Sequence, residues 1–213
     1  MPQDDPPVFD PTAQQSDATL MARVVRGETD CFAELVRRYQ PALARVAASR
    51  LGRTDWAEDV VQETFLAAFR SCASYDPRFS FRTWLWTILL NQCHGHYQRR
   101  ARGLPTEPLT EELAQAAGHG SRETGGDSPL AELLVKERKA QLEALFAQLT
   151  LAQADALRLR FFGGLKFQEI AETMGCSLGT AKNRVRFGLT RMAELLEAAG
   201  ARGTPRGEWE HER

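Results

Sequence analysis

Three side chains able to read nucleic-acid bases, Lys182, Asn183 and Arg186, fall on one outward face of a helix predicted from Leu178 onward. Lys and Arg donate to guanine O6 and N7, and Asn pairs bidentately with adenine, each good pair contributing about 1–3 kcal/mol of discrimination. What positions them is the run Gln168-Glu-Ile-Ala-Glu-Thr-Met-Gly-Cys-Ser-Leu-Gly-Thr-Ala-Lys-Asn-Arg-Val, which has the form of a helix-turn-helix. Small Ala171 permits close helix packing, and four residues on Gly175 supplies the positive φ of the turn. Ile170, Met174, Leu178, Ala181 and Val185 form the apolar seam. Arg184 points away from the reading face and is expected to pair with Glu169, with a phosphate contact as the second reading. Arg158, Arg160 and Lys166 are candidates for phosphate contacts, which set register without reading sequence. The competing reading of the whole run is a helical hairpin in a bundle core.

A second set of candidates lies upstream. Phe79-Ser-Phe-Arg-Thr-Trp-Leu-Trp opens a helix that closes with Gln98-Arg-Arg-Ala-Arg, bringing rings and cations together without acid. Bases stack on rings, and phosphates pair with Arg. Trp84, Leu85 and Ile88 suit a core, whereas Tyr75 and the Arg cluster do not. On the preceding helix Asp55, Glu58, Asp59, Gln62 and Glu63 share one face, and Trp56, Val60, Val61, Phe65, Ala68 and Phe69 supply the apolar one. An acidic face of that kind is by itself more often solvated than docked.

The elements that carry these residues are all helical: apolar positions recur at three- and four-residue spacing, and period-two β-branched runs are absent. Helices are predicted over 18–26, 30–51 with a bend at Pro41, 55–70, and from Ser80 as N-cap to about Arg102. Tyr75-Asp76-Pro77 is a turn. Ser128 followed by Pro129 starts a further helix to about Gln148, and Thr150 with Gln153 forms a capping box. The helix it opens ends at Gly163-Gly164, and helices over 167–174 and 178–199 follow.

The fold class is therefore all α, with two small helical domains over 17–102 and 128–199. A tether over 103–127 joins them, and tails span 1–16 and 200–213. The net charge of −1 conceals segregation. From Pro77 to Thr106 there are five Arg and no acid, and from Cys176 to Arg191 one Lys and three Arg, again with no acid. The tether and the N-terminus are acidic. One solvated face can carry such a run; two far apart, with acid between them, suit a protein that holds nucleic acid at two places.

Four scattered cysteines without a C-x-x-C pair fit a reducing cytoplasm. No signal peptide and no bilayer-spanning run are evident. Cys93-His94-x-His96 is a poor metal site, because the two histidines point about 200° apart on a helix. No nucleotide-binding glycine loop or nucleophile constellation is present, so no cofactor, metal, small-molecule substrate or enzymatic activity is expected.

Asp55-Trp-Ala-Glu-Asp-Val-Val-Gln-Glu-Thr-Phe-Leu, Phe81-Arg-Thr-Trp-Leu-Trp and Gly179-Thr-Ala-Lys-Asn-Arg-Val, in that order, resemble the extracytoplasmic-function (ECF) sigma factors of bacterial RNA polymerase. The resemblance covers about 17–102, the family's region 2, and about 130–196, its region 4. It implies that Asp59, Gln62 and Glu63 dock core polymerase at the β′ clamp helices, with region 4 at the β flap. It also implies that Tyr75, Trp84, Asn91, Arg99 and Arg100 engage the −10 element, Tyr75 and Asn91 helping to hold a flipped base. Thr180, Lys182, Asn183, Arg186 and Arg160 then serve the −35 element, and an anti-sigma factor is a further partner. Lys166, Phe187, Leu189, Gly95 and Gln98 depart from the family's usual residues, so promoter sequence is not transferable. The competing function is a helix-turn-helix regulator that acts without docking to polymerase.

Overall fold

In the computed structural model the structure describes residues 15–102 and 129–203, and among them it contains eight α-helices, one 3-10 turn and no strand. The first four helices are α1 (Asp17–Val25), α2 (Asp30–Leu51), α3 (Thr54–Arg70) and α4 (Phe81–Ala101). The second four are α5 (Pro129–Ala147), α6 (Leu151–Phe161), α7 (Phe167–Thr173) and α8 (Leu178–Gly203). Helix ends fall where local chemistry dictates. The Ser16 hydroxyl accepts from the Thr19 amide to start α1, and the predicted reciprocal capping box of Thr150 and Gln153 opens α6. Ser80 does precede α4, but its side chain makes no capping bond. The 3-10 turn over Cys72–Ser74 was not foreseen, and α8 runs four residues beyond its predicted end. The tether over 103–127 and the Ser128 cap lie outside the described residues.

Helices α1–α4 surround a core of Met21, Leu35, Leu43, Val46, Val60, Leu85, Trp86 and Leu89. Cys93 is sealed in the same core, and burial pushes its thiol up to about 11. At pH 8 only on the order of a thousandth of such a group is thiolate. A thiol reagent followed by peptide mass analysis should therefore label half-buried Cys72 and Cys176 first, and Cys93 only after unfolding. Rapid labelling of Cys93 in the folded chain would contradict this packing.

In the second unit Leu157, Leu159, Leu165, Ile170, Ala171, Ala181 and Val185 bring α6, α7 and α8 together. The two units are not separate in space. Helices α2 and α4 pack on α6 and α7, and one continuous cluster of buried side chains runs through both. At the seam the Trp86 ring lies against the backbone at Gly163, where an added Cβ would come within 3.1 Å of Trp86 Cη2. Arg50 Nη1 meets Asp155 Oδ2 at 3.0 Å, and Arg158 Nη1 meets Asp155 Oδ1 at 3.3 Å. Arg158 also donates from Nε to the Ser49 hydroxyl at 3.1 Å.

Candidate nucleic-acid interface

The turn between α7 and α8 sets the reading face. Gly175 has φ +59°, a left-handed conformation that an L side chain adopts only under strain, and it lets the chain reverse between the two helices. The Ser177 hydroxyl then accepts from the Thr180 amide at 3.1 Å, capping the start of α8. A Ser immediately before the first helical residue, Leu178, is the local signal for such a cap. Ala181 and Val185 point inward and are buried, which turns Lys182, Asn183 and Arg186 outward, all exposed. Thr180 is exposed beside them. The Arg186 guanidinium lies 4.7 Å from the centre of the Phe187 ring, an interaction that solvent or a ligand can replace at little cost.

Not every predicted neighbour falls into place. Leu178 was expected in the apolar seam, but at 39% exposure it projects from the first turn of α8. Arg184 does not pair with Glu169; it donates to Met174 Sδ at 3.9 Å. Glu169 instead accepts from the Lys166 amide at 2.7 Å and faces Arg82 Nε at 3.7 Å. Arg158, read as a phosphate ligand, is buried in the seam, and there burial holds its guanidinium below the usual arginine range. Arg160 is half-buried and donates to the Leu165 carbonyl at 2.8 Å, with its guanidinium over the Phe167 ring. Lys166 remains exposed at the start of α7.

In the first unit, four rings cluster at the start of α4. Tyr75 lies 5.3 Å from Trp84 and 5.9 Å from Phe81 between ring centres, and Tyr39 lies 5.6 Å from Phe81. The Tyr75 hydroxyl donates to the Phe79 carbonyl at 2.8 Å, and burial raises the phenol above its ordinary range. Leu85 is fully buried, but Trp84 and Ile88 are only half-buried, so the Trp84 ring is less enclosed than a core assignment implies. Asn91 is exposed on α4 two turns beyond Trp84, at a spacing that returns to roughly the same face. Phe79, the first ring of the aromatic run, is 65% exposed at this end of α4.

At the other end of α4, Arg99 Nη2 pairs with Glu63 Oε2 at 2.9 Å, and the Arg100 guanidinium lies 3.8 Å from the Trp56 ring centre. The predicted DNA-side arginines and the predicted docking face of α3 thus adjoin. Asp59 is exposed and forms no ion pair among the described residues, while Gln62 is half-buried. His96 is buried against Trp56, whereas His94 is exposed and bonded to Gln98, so the two histidines diverge. Among the described residues no helix is long and apolar enough to cross a membrane.

Comparison with known proteins matches both units. The family model described as Sigma-70 region 2 matches residues 35–103, and that described as Sigma-70, region 4 matches residues 139–192. The ECF RNA polymerase sigma-E factor of Haemophilus influenzae is 33% identical over 184 residues, covering 86% of this chain and 95% of that protein. The RNA polymerase sigma-H factor of Pseudomonas aeruginosa is 32% identical over 174 residues, covering 81% and 89%. Among solved structures, the sigma factor RpoE of Bartonella quintana, in complex with the anti-sigma factor NepR, aligns with a TM-score of 0.55 at 26% identity. That alignment covers 78% of this chain and 96% of RpoE. CnrH, in complex with the cytosolic domain of CnrY, shares the fold at a TM-score of 0.66 and 24% identity, covering 86% of this chain and 99% of that one.

Proposed function

The chain belongs to the extracytoplasmic-function sigma factors of the sigma-70 family, and from that membership we propose how its two units divide the work. It directs promoter-specific transcription initiation as a partner of RNA polymerase and promoter DNA. Sigma factors are non-enzymatic regulators, so bond making belongs to the polymerase. The unit over 17–102 docks core polymerase through Asp59, Gln62 and Glu63 against the β′ clamp helices. The same unit engages the −10 element through Tyr75, Trp84, Asn91, Arg99 and Arg100. A flipped base needs a ring to stack on and a polar group to read its edge, and Tyr75, Trp84 and Asn91 offer both. The unit over 128–199 approaches the β flap and reads the −35 element in the major groove through Lys182, Asn183 and Arg186. Thr180 and Lys166 lie where phosphates pass, and Arg160 contributes through the turn that it pins. An anti-sigma factor is the remaining partner class, since one relative of this fold, RpoE of Bartonella quintana, is found bound to one.

The observation that carries this reading is the pairing, in one chain, of an outward Lys182/Asn183/Arg186 face with a separate acidic face on α3. A regulator acting alone needs only the first. Purified protein should co-elute with core RNA polymerase at moderate salt, and the complex should initiate at specific sites on a genomic template. Failure to co-elute would return the chain to the class of helix-turn-helix regulators that bind DNA without polymerase.

A further inference from the structure

We propose that the cleft lined by the end of α2, α4, α5 and α6 is a binding site for a small carboxylate with an apolar body, its head held by Arg50. The site does not depend on the function proposed above.

Charge is the first reason. Arg50, the penultimate residue of α2, and Arg158, on α6, are 8% and 7% exposed, and both face the carboxylate of Asp155, itself 6% exposed. Two guanidinium groups against one carboxylate leave the cluster with a surplus of one positive charge. The other acid of the cleft, Glu143, lies 3.9 Å from Lys139, which offsets it. A buried charge is costly unless it is paired. Burial pushes the Asp155 carboxyl above the usual carboxylate range and the Arg158 guanidinium below the arginine range, so desolvation outweighs attraction within the cluster.

The two arginines are not equally satisfied. Arg158 donates from Nε to the Ser49 hydroxyl and from Nη1 to Asp155, and its guanidinium lies 4.6 Å from the centre of the Phe146 ring. Arg50 has Asp155 alone. Its Nη1 stands 3.0 Å from Asp155 Oδ2 but outside hydrogen-bond alignment, and its buried Nε has no partner among the described residues. The edge that carries Nε is one of the forks with which a guanidinium takes both oxygens of a carboxylate. A buried donor left unpaired is unfavourable, and a ligand oxygen placed there removes the deficit.

Room for the ligand lies beside the cation. Arg50 and Arg158 line a cleft of about 390 Å3, a volume in the range of small-molecule sites. Leu51, Phe146, Leu149, Leu151 and Ala154 supply apolar walls, and the Tyr97 hydroxyl is already engaged by the Arg50 carbonyl. A ligand therefore meets donors at one end and hydrocarbon along its length. A monoanion matches the surplus of one charge, whereas a dianion would replace one uncompensated charge with another. A bare inorganic anion would leave the apolar walls unused. Because the walls come from both units, occupancy adds to the stability of the packed chain by mass action.

The test is isothermal titration calorimetry on the free, full-length chain with sodium octanoate as the probe. Octanoate should bind saturably and one to one with a dissociation constant below about 1 mM, as suits a ligand of about ten non-hydrogen atoms. Octanol keeps the body without the charge, octylammonium reverses the charge, and acetate keeps the head without the body; each should bind at least about tenfold more weakly. Arg50→Gln should weaken octanoate at least about tenfold and leave octanol unchanged. Ala147→Trp fills the cleft from its exposed rim on α5, away from the buried charges, and should abolish octanoate binding with helix content by circular dichroism unchanged. Should Arg50→Gln lose helix content, Ala147→Trp and the neutral and cationic probes decide alone. An absence of saturable binding up to about 10 mM octanoate, well above the expected constant, would overturn the site. So would octanol that binds as tightly as octanoate, or Ala147→Trp that binds octanoate as wild type does. Neither DNA nor polymerase enters these measurements, so their failure leaves the sigma assignment standing.

Discussion

Asp59→Arg should raise the dissociation constant for core polymerase at least about a hundredfold, because like charges brought together at an interface cost several kcal/mol. Asp59 is the cleanest probe of the α3 face, since it is exposed and holds no internal ion pair among the described residues. Glu63 would be a poorer choice. It pairs with Arg99 at 2.9 Å, so reversing its charge also strands a cation on α4 and mixes docking with the −10 surface. Substitution at an exposed site away from buried features changes stability by no more than about 0.5 kcal/mol. The thermal midpoint of Asp59→Arg should thus match wild type while holoenzyme formation, followed by fluorescence anisotropy of labelled protein against core, is lost. Affinity within threefold of wild type would remove Asp59 from the docking surface.

The helices and the helix-turn-helix were legible in the sequence because their signals are local. Thr150 and Gln153 are three residues apart, Gly175 sits at the turn that requires it, and Ala181 and Val185 repeat at helical spacing. The seam was not legible, because nothing local marks it. Arg50 and Asp155 are far apart in the chain, and each reads as a surface charge until the fold brings them to 3.0 Å. Arg158 was assigned to phosphate for the same reason. On α4 the difficulty is different. This helix packs on α2, α3 and α7, so apolar side chains lie around much of its circumference and periodicity fades. Trp84 and Trp86 are two positions apart, roughly opposite in direction, and assigning Trp84 to the core places the wrong ring inside. Trp86 is fully buried because α7's neighbour Gly163 leaves room for its ring; Trp84 stays half-buried with Tyr75.

Arg186→Ala should lower run-off transcription from a promoter carrying the protein's own −35 element by about tenfold to a hundredfold, the loss expected when one bidentate base contact goes. Core binding should be unaffected, since Arg186 stands outward on α8 and only rests on the Phe187 ring. Base reading and phosphate binding predict different patterns. Loss of a base contact is specific: the penalty of Arg186→Ala should shrink on templates whose −35 guanines have been replaced, because wild type has already lost the same interaction there. Loss of a phosphate contact is uniform across templates and lessens the salt dependence of binding by about one ion. A uniform penalty would reassign Arg186 to the backbone and leave Lys182 and Asn183, one turn back on the same face, to carry the discrimination. An equal fall in core binding would mean that the exposed face of α8 serves polymerase as well as DNA, contrary to the proposed division between α3 and α8.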